Sequence, residues 1–293
     1  MDMEIFLQLL VNGISLGFIY SLSALGFVMI FKSSSVLNFA HGELMAFGAF
    51  LFLVFSSWLK LPIALTFVLT LIGSFVLGFF VERFFLRPLI GEALIQVIML
   101  TVGLAAMFKG AMLFFFGGDV HDYPKFLPEG LSLDLVYLKI PSVYVAAFII
   151  GILFLILFGF FFKYSSQGIY MRSVADNQPA AMSLGVHVRR VFALSWAIAA
   201  LVAAMSGIVL GIIFGVNVHD MTSMGLKVFP VVILGGLDSI GGAIVGGVII
   251  GLLETYTGYF SASLKEVIPY IVLVIILMVK PYGLFGLVEI ERV

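Results

Sequence analysis

One stretch decides the fold: Leu37-Asn38-Phe39-Ala40-His41-Gly42-Glu43 places an amide, an imidazole and a carboxylate between two apolar runs. Residues 20–31 lead into this stretch and residues 44–55 lead out of it, and neither run carries a charged side chain. Ionisable groups are costly at membrane depth, so they usually face the interior of a helix bundle or a water-filled path. The stretch therefore predicts a substrate pathway inside a membrane protein.

The composition agrees with a membrane protein, because 62% of the 293 residues are hydrophobic and only 11% are charged. Soluble domains contain about 25% charged residues. A spanning helix needs roughly 20 apolar residues, and the short alternating strands of a β-barrel are not visible. We therefore expect an all-α, polytopic membrane helical bundle. Its eight apolar segments cover about residues 5–31, 36–57, 62–82, 93–117, 141–163, 191–216, 228–256 and 266–285.

Several function classes are excluded by what the sequence lacks. A net charge of −1 gives no electrostatic basis for binding nucleic acid, and the absence of cysteine removes thiol catalysis and thiolate metal sites. There is no P-loop, so ATP-driven work must come from another polypeptide. We expect no cofactor, no metal and no catalytic residue, because no nucleophile is paired with a base. The chain is predicted to be a transport subunit rather than an enzyme.

Charge in the two long loops sets the predicted orientation in the membrane. The loop at 118–140 carries more acidic than basic residues, whereas the loop at 163–190 carries Lys163, Arg172, Arg189 and Arg190 against Asp176 alone. Lys and Arg accumulate on the cytoplasmic side. Residues 164–190 are therefore predicted to be cytoplasmic and the N-terminus to lie outside. We place the whole chain, 1–293, in one transmembrane domain of the plasma (inner) membrane.

The segment at 228–256 is interrupted by the glycine-rich run Gly235–Gly242, which is a poor helix interior. We expect two half-helices here, and the extra half-crossing would bring the C-terminus back inside. Gly235–Gly247 also matches Asn38–Phe50 in its small residues and its single central carboxylate. This match indicates either an inverted repeat, as in many transporters, or a coincidence of small-residue packing.

Two interpretations remain open for the polar residues of the membrane region. Asn38, His41 and Glu43 line a translocation pathway, with Asp238 near it or at its cytoplasmic mouth, or they tie helices together by buried hydrogen bonds. If residues 38–43 are helical, Asn38 and His41 share a face. Asn38 is then a candidate N-cap that accepts from the N–H of His41 or Gly42.

The cytoplasmic segment reads as two short helices with clear end signals. Asp176 or Asn177 is predicted to cap the second helix, Pro179 to lie in its first turn and Gly185 to end it. A short helix that projects from the bilayer offers a docking surface for a cytoplasmic partner. A solvated connector is the alternative, although a connector does not need this order of cap, proline and glycine.

Four stretches in this order carry a resemblance to a known family: LNFAHGELMAFGA at 37–49, RSVADNQPAAMSLG at 172–185, GGLDSIGGA at 235–243 and KPYGLFG at 280–286. The sequence resembles the branched-chain amino acid ABC transporter permeases of the H-component type, which pair with a longer M-component. The resemblance spans nearly the whole chain. Where the family usually has an acidic residue after the proline at 179, this chain has Ala180.

This resemblance implies a set of partners and a substrate class. The partners would be a second permease subunit, two cytoplasmic ATP-binding subunits, an extracytoplasmic substrate-binding protein and the lipid bilayer. The substrate would be a branched-chain or related hydrophobic amino acid, although family members also move urea, short amides or other amino acids. The residues implied in coupling to the ATPase are Arg172, Ala175, Asp176, Asn177, Pro179, Ala180, Ala181 and Gly185.

A second function class stays open from the residues themselves. A self-sufficient secondary transporter would use His41 and Glu43 as proton carriers. Such a transporter would not need a structured docking segment, and it would work alone under a proton gradient.

Overall fold

The computed structural model describes residues 3–124, 132–135 and 138–286, with the backbone alone for 132–135, 138–143 and 147. The charge count for the loop at 118–140 used Lys125 and Glu129, which lie outside the described residues. The residues after 286 also lie outside them. The helices are α1 Met3–Ser34, α2 His41–Leu53, α3 Ile63–Val81, α4 Leu94–Phe116, α5 Ser142–Tyr164, α6 Ser166–Asp176, α7 Gln178–Ser183, α8 Val188–Phe214, α9 Val218–Leu226, α10 Val228–Gly235, α11 Ile240–Phe260 and α12 Ala262–Val279.

The prediction of a polytopic helical bundle is confirmed, because eight helices in the described part of the chain are long and apolar enough to span a membrane. Helix α2 is extended by a π-helical turn at Val54–Trp58, and α3 by further helical turns that reach Leu89. One feature was not predicted. Strands β1, Ser132–Leu135, and β2, Leu138–Pro141, form a short antiparallel hairpin before α5.

The predicted break in the segment 228–256 is also confirmed. Helix α10 ends at Gly235, the chain turns through Gly236 at φ 109°, and the hydroxyl of Ser239 accepts from the N–H of Gly242 to cap α11. A left-handed φ of this kind suits glycine because it has no Cβ. The short helix α9, which precedes α10, was not predicted as a separate element.

Contacts at the helix ends show which ends of the helices lie together. At one end of the bundle, Lys32 Nζ donates to the carbonyl of Asp238 over 3.1 Å and lies 5.6 Å from the ring of Phe162. The N–H of Leu284 donates to the carbonyl of Leu234 at the same end, over 2.8 Å. At the opposite end, the rings of Trp58 and Phe116 are 5.4 Å apart, and His121 pairs with Val216.

Helices α9 and α10 therefore cross the bundle together as one broken helix. Residue Asn217, just before α9, bonds Gly118 at the Trp58 end, and Gly235 at the end of α10 lies at the Lys32 end. Together with the eight spanning helices, this crossing makes nine among the described residues. The odd number brings residues 280–286 back to the end that holds Lys32. The predicted placement of the C-terminal region relative to Lys32 thus agrees with the described residues.

Helix packing supports an inverted repeat, but it pairs different segments from those that the sequence suggested. Helix α1 packs along α11, and α8 packs along α3; likewise α2 packs on α8, and α10 packs on α1. These pairs relate α1, α2 and α3 to α8, α9–α10 and α11 in the opposite direction. The partner of Asn38–Phe50 is therefore the α9–α10 crossing rather than Gly235–Gly247, which forms the turn before α11 and the start of that helix.

The glycines of α11 allow this helix to pack closely against α1 and α10. A Cβ on Gly17 of α1 would lie 2.6 Å from Val248 Cα, closer than real Cβ atoms come to another atom. Gly247 and Gly251 face α1 in the same way, while Gly242 and Gly246 face α10. Small residues let helix backbones approach and gain dispersion contacts, which is a main source of helix association in lipid.

Candidate functional site

The polar stretch at 37–43 forms the start of α2, deep in the bundle. Ser35 adopts a left-handed conformation, φ 55°, and turns the chain back after α1. His41, the first residue of α2, lies against Ser23 of α1. Ser23 precedes the end of α1 by three turns, or about 16 Å at 1.5 Å per residue. Helix α2 therefore begins inside the membrane region rather than at its surface.

Asn38 does not have the role that its position predicted. It lies before the helix, so it shares no helical face with His41, and its Oδ1 accepts from the N–H of Ala40 over 3.0 Å. The expected cap on the N–H of His41 or Gly42 is wrong, because α2 has no side-chain cap. A turn of this type lets a short amide side chain satisfy a nearby backbone donor.

His41 connects α2 to α1 and is fully buried. Its Nε2 lies 3.1 Å from Ser23 Oγ, which in turn lies 2.9 Å from the sulfur of Met45. If Nε2–H donates to Ser23 and Ser23 donates to Met45, both contacts are used and Nδ1 is left as an acceptor. The ring also packs edge-on against Phe27, with centroids 5.8 Å apart. This geometry is that of a tie between two helices.

Glu43 has different neighbours from His41. Glu43 is only 4% exposed, and its polar neighbours are Thr222 of α9 and Lys109 of α4. The backbones of Gly42 and Gly225 touch here, because a Cβ on Gly42 would lie 3.1 Å from Gly225 Cα. The start of α2 and the end of α9 thus meet within the bundle.

Some buried polar atoms around this meeting point make no hydrogen bond. Within the described residues, buried side-chain atoms without a hydrogen-bond partner include Asn38 Nδ2, His41 Nδ1 and Thr222 Oγ1. Buried polar groups are normally satisfied, and exceptions need an explanation. Bound water, a second conformation or a passing polar molecule would each supply the missing partners.

Asp238 lies apart from the other three predicted pathway residues. It occupies the turn between α10 and α11 at the Lys32 end of the bundle, where its carbonyl accepts from Lys32. The structure therefore brings Asn38, His41 and Glu43 together and leaves Asp238 at one mouth of the bundle.

The opposite end is closed over α2 by the segment after α4. The hydroxyl of Tyr123 donates to the carbonyl of Ala49 over 2.9 Å, and its ring packs on Phe52 at 4.8 Å. Burial raises the pKa of the Tyr123 phenol well above its ordinary value, so the hydroxyl keeps its proton and remains a donor.

A buried ion network was missed by the sequence analysis. Lys227, between α9 and α10, places its Nζ 2.9 Å from Glu254 Oε1 and 2.9 Å from Glu266 Oε2. Tyr20 of α1 donates to the other oxygen of Glu254 over 2.8 Å, and Lys265 Nζ lies 3.9 Å from Glu254. The available signal was Glu254, a carboxylate within an apolar run, which marks a functional or paired position.

The segment predicted to couple to a partner has the expected local structure. Asn177 caps α7, because its Oδ1 accepts from the N–H of Ala180 over 2.9 Å, and Pro179 lies in the first turn. Gly185 follows the helix at φ 85°, a left-handed conformation typical of a helix end. Two short helices, a side-chain cap and a terminal glycine are thus confirmed as structure.

Two of the predicted coupling residues face their own subunit. Ala181 is 2% exposed and packs in a cluster with Phe162 and Val188, so its expected place on the docking face is wrong. The guanidinium of Arg172 donates to the carbonyls of Phe162 and Lys163 at the end of α5, over 2.7 and 3.1 Å. These residues anchor the segment to the bundle.

The exposed side of the segment carries apolar groups. Leu184 is 84% exposed and Met182 is 58% exposed, while Asp176, Asn177, Pro179 and Ala180 are also at the surface. Ala175 is partly buried. Exposed apolar side chains grouped on one short element are typical of a surface that a partner covers.

A cavity of about 400 Å³ lies beside α7, at the Lys32 end of the bundle. It is bounded by the connection between α3 and α4, by Gln178 and by Trp196 of α8. Glu82 on its wall forms an ion pair with Arg87, with 3.0 Å between Oε2 and Nη2. Helix α7 therefore borders an open cleft through Gln178.

Comparisons with known proteins agree along the whole chain. The family model described as the permease component of the branched-chain amino acid transport system matches residues 9–277. The high-affinity branched-chain amino acid transport system permease protein LivH of Salmonella typhimurium is 30% identical, and the match covers 98% of both chains. The corresponding protein BraD of Pseudomonas aeruginosa is 28% identical over the same shares.

A solved structure supports the fold alone. PsaBC from Streptococcus pneumoniae in complex with Fab aligns with a TM-score of 0.52 at 10% identity, covering 92% of this chain and 91% of that chain. The sequence comparisons carry the assignment, and they confirm the resemblance seen in the four sequence stretches. The chain belongs to the family of permease components of branched-chain amino acid transport systems.

Proposed function

We propose that this chain is the membrane-spanning subunit of an ATP-driven importer for branched-chain or related hydrophobic amino acids. The observation that carries this proposal is the match of nearly the full chain to LivH, with 98% of both proteins covered. The exposed apolar side chains of Met182 and Leu184 support a docking surface at α7, which a carrier that works alone would not need. Residues 1–293 would act as one permease domain.

The orientation follows from the basic residues at one end of the bundle. Lys32, Lys163, Arg172 and Lys280 lie at the same end as α6 and α7, with Arg189 and Arg190 at the start of α8. The positive-inside rule assigns this end to the cytoplasm. Residues 164–190 are then cytoplasmic, the N-terminus lies outside and residues 280–286 lie inside.

The partners would occupy opposite faces of the subunit. Two ATP-binding subunits would dock at the cytoplasmic end, where α7 projects beside an open cleft, and a second permease would pair within the membrane. A substrate-binding protein would dock at the end that holds Trp58 and His121. No residue of this chain would perform chemistry, and ATP hydrolysis would move α6–α7 as a unit anchored by Ala181 and Arg172.

The substrate route would pass the meeting point of α2 and α9. Glu43, Asn38 and Thr222 bring polar groups to this point inside an apolar bundle, and some of their atoms have no partner in this conformation. A zwitterion that crosses the bundle needs such transient partners. Asp238 would lie at the cytoplasmic mouth, and His41 would hold α2 against α1.

Reconstitution tests the function directly. Proteoliposomes that contain this chain, the second permease, both ATPases and the binding protein should accumulate leucine only when ATP is supplied. The reason is that this chain has no nucleotide site of its own. Leucine accumulation by this chain alone under a proton gradient would contradict the proposal and favour a secondary transporter.

The docking surface is tested by two substitutions that differ in burial. Leu184→Asp should leave membrane insertion and thermal stability unchanged and reduce ATPase co-purification about tenfold or more, because it places a charge in an apolar contact. Ala181→Arg should instead destabilise the subunit, since it buries an unpaired charge against Phe162 and Val188. Normal ATPase recovery with Leu184→Asp would remove the docking role, and Lys60→Gln at the opposite end serves as the control.

Two further substitutions separate the pathway from the helix tie. Glu43→Gln keeps the shape and removes the charge, so uptake should fall while the melting temperature changes little. His41→Ala should lower stability by about 0.6–2 kcal/mol, the range for interhelical polar pairs in membranes. Glu4→Gln, which removes an exposed carboxylate from the first turn of α1, at the end of the bundle away from α7, is the matched control. Normal uptake with Glu43→Gln would exclude Glu43 from the pathway.

A further inference from the structure

The break between α9 and α10 falls at a single charged residue, three positions before Pro230, whose nitrogen cannot donate to the preceding turn. Lys227 ends α9 and begins α10, and it is only 2% exposed. Its ammonium group bridges two carboxylates that belong to different helices, Glu254 of α11 and Glu266 of α12. The Lys227 side chain therefore links the broken crossing to both α11 and α12.

The network holds two cations and two carboxylates, and their burial differs. Lys227 and Glu254 are 2% and 1% exposed, whereas Lys265 and Glu266 are 32% and 57% exposed. Lys265 Nζ lies 3.9 Å from Glu254 Oε1, farther than the 2.9 Å of Lys227. Lys265 also lies 5.6 Å from the ring of Phe214, at the outer end of α8. A second cation thus stands beside the buried carboxylate.

If Lys227 moves away from Glu254, the buried Glu254 carboxylate loses its closest cation. A buried carboxylate that loses its only cation is strongly destabilising, because desolvation is no longer compensated. Glu266 is largely exposed, so water can solvate it and it can move with Lys227. Glu254 has no such access to water, but Lys265 needs to move by only about 1 Å to form a close ion pair.

We propose that Lys265 takes over Glu254 when the α9–α10 crossing shifts during transport, while Lys227 keeps Glu266. Both carboxylates then have a cation in each of the two arrangements, and Tyr20 continues to donate to Glu254. The exchange makes Lys265 a positioning residue whose contribution appears only when the crossing moves. This inference rests on the proposed function, because transport is what would shift the crossing, and uptake by the wild-type complex tests that function separately.

The test uses the assembled complex with Lys265→Gln. The resting state keeps the Lys227 and Tyr20 contacts to Glu254, so assembly and melting temperature should stay at the wild-type values. Uptake of leucine should fall about tenfold or more, because the shifted arrangement would leave Glu254 unpaired. Lys265→Arg should restore uptake, and Lys60→Gln, which removes an exposed cation at the same end, should have no effect.

Two outcomes of this experiment would overturn the exchange. Normal uptake with Lys265→Gln would show that Glu254 needs no second cation. A joint loss of melting temperature and uptake would show that Lys265 only stabilises the resting bundle.

A distance measurement decides the matter even if leucine is not the substrate. The chain has no cysteine, so spin labels can be placed next to Lys227 and Glu254, at Leu226→Cys and Leu253→Cys, positions whose native side chains are 43% and 36% exposed. Trapping the wild-type complex with ATP and vanadate should change the distance between the labels, and Lys265→Gln should suppress that change. An unchanged wild-type distance, or the same change in the variant, would overturn the exchange.

Discussion

A helix that breaks inside a membrane leaves backbone groups that lipid cannot satisfy, and this bundle is arranged around two such breaks. At the start of α2, Asn38 satisfies the N–H of Ala40, and its own carbonyl accepts from His41. At the end of α9, the N–H of Lys227 bonds the carbonyls of Ser223 and Met224. The two breaks lie close together because their helices meet through Gly42 and Gly225.

Two buried side chains hold these broken ends in place. His41 fixes α2 to α1, and Lys227 fixes the α9–α10 crossing to α11 and α12. Among the described residues, buried atoms without a hydrogen-bond partner include Asn38 Nδ2 and His41 Nδ1 near the meeting point of the two helix ends, and the hydroxyls of Ser57 and Ser74 elsewhere. In the proposed function the chain is a movable route, and recognition and energy come from partners at the two ends of the bundle.

Sequence reasoning succeeded where short-range chemistry decides the structure. The spanning segments follow from apolar length, and α7 follows from the cap at Asn177 and the left-handed glycine at Gly185. It failed where long-range packing decides. The burial of Ala181 depends on which face of a six-residue helix meets α5 and α8. The contacts of Glu254 with Lys227 and Tyr20 join residues far apart in the chain, which no local pattern can pair.

Calorimetry on the purified permease pair, without the binding protein, tests most directly whether this chain is a route rather than a carrier. His41, Lys227 and Glu254 are engaged in contacts between helices. We therefore expect leucine to show no saturable binding tighter than the millimolar range, about −4 kcal/mol. A micromolar leucine site in that preparation would contradict this account, because a permease that recognises its own substrate has the property expected of a self-sufficient transporter.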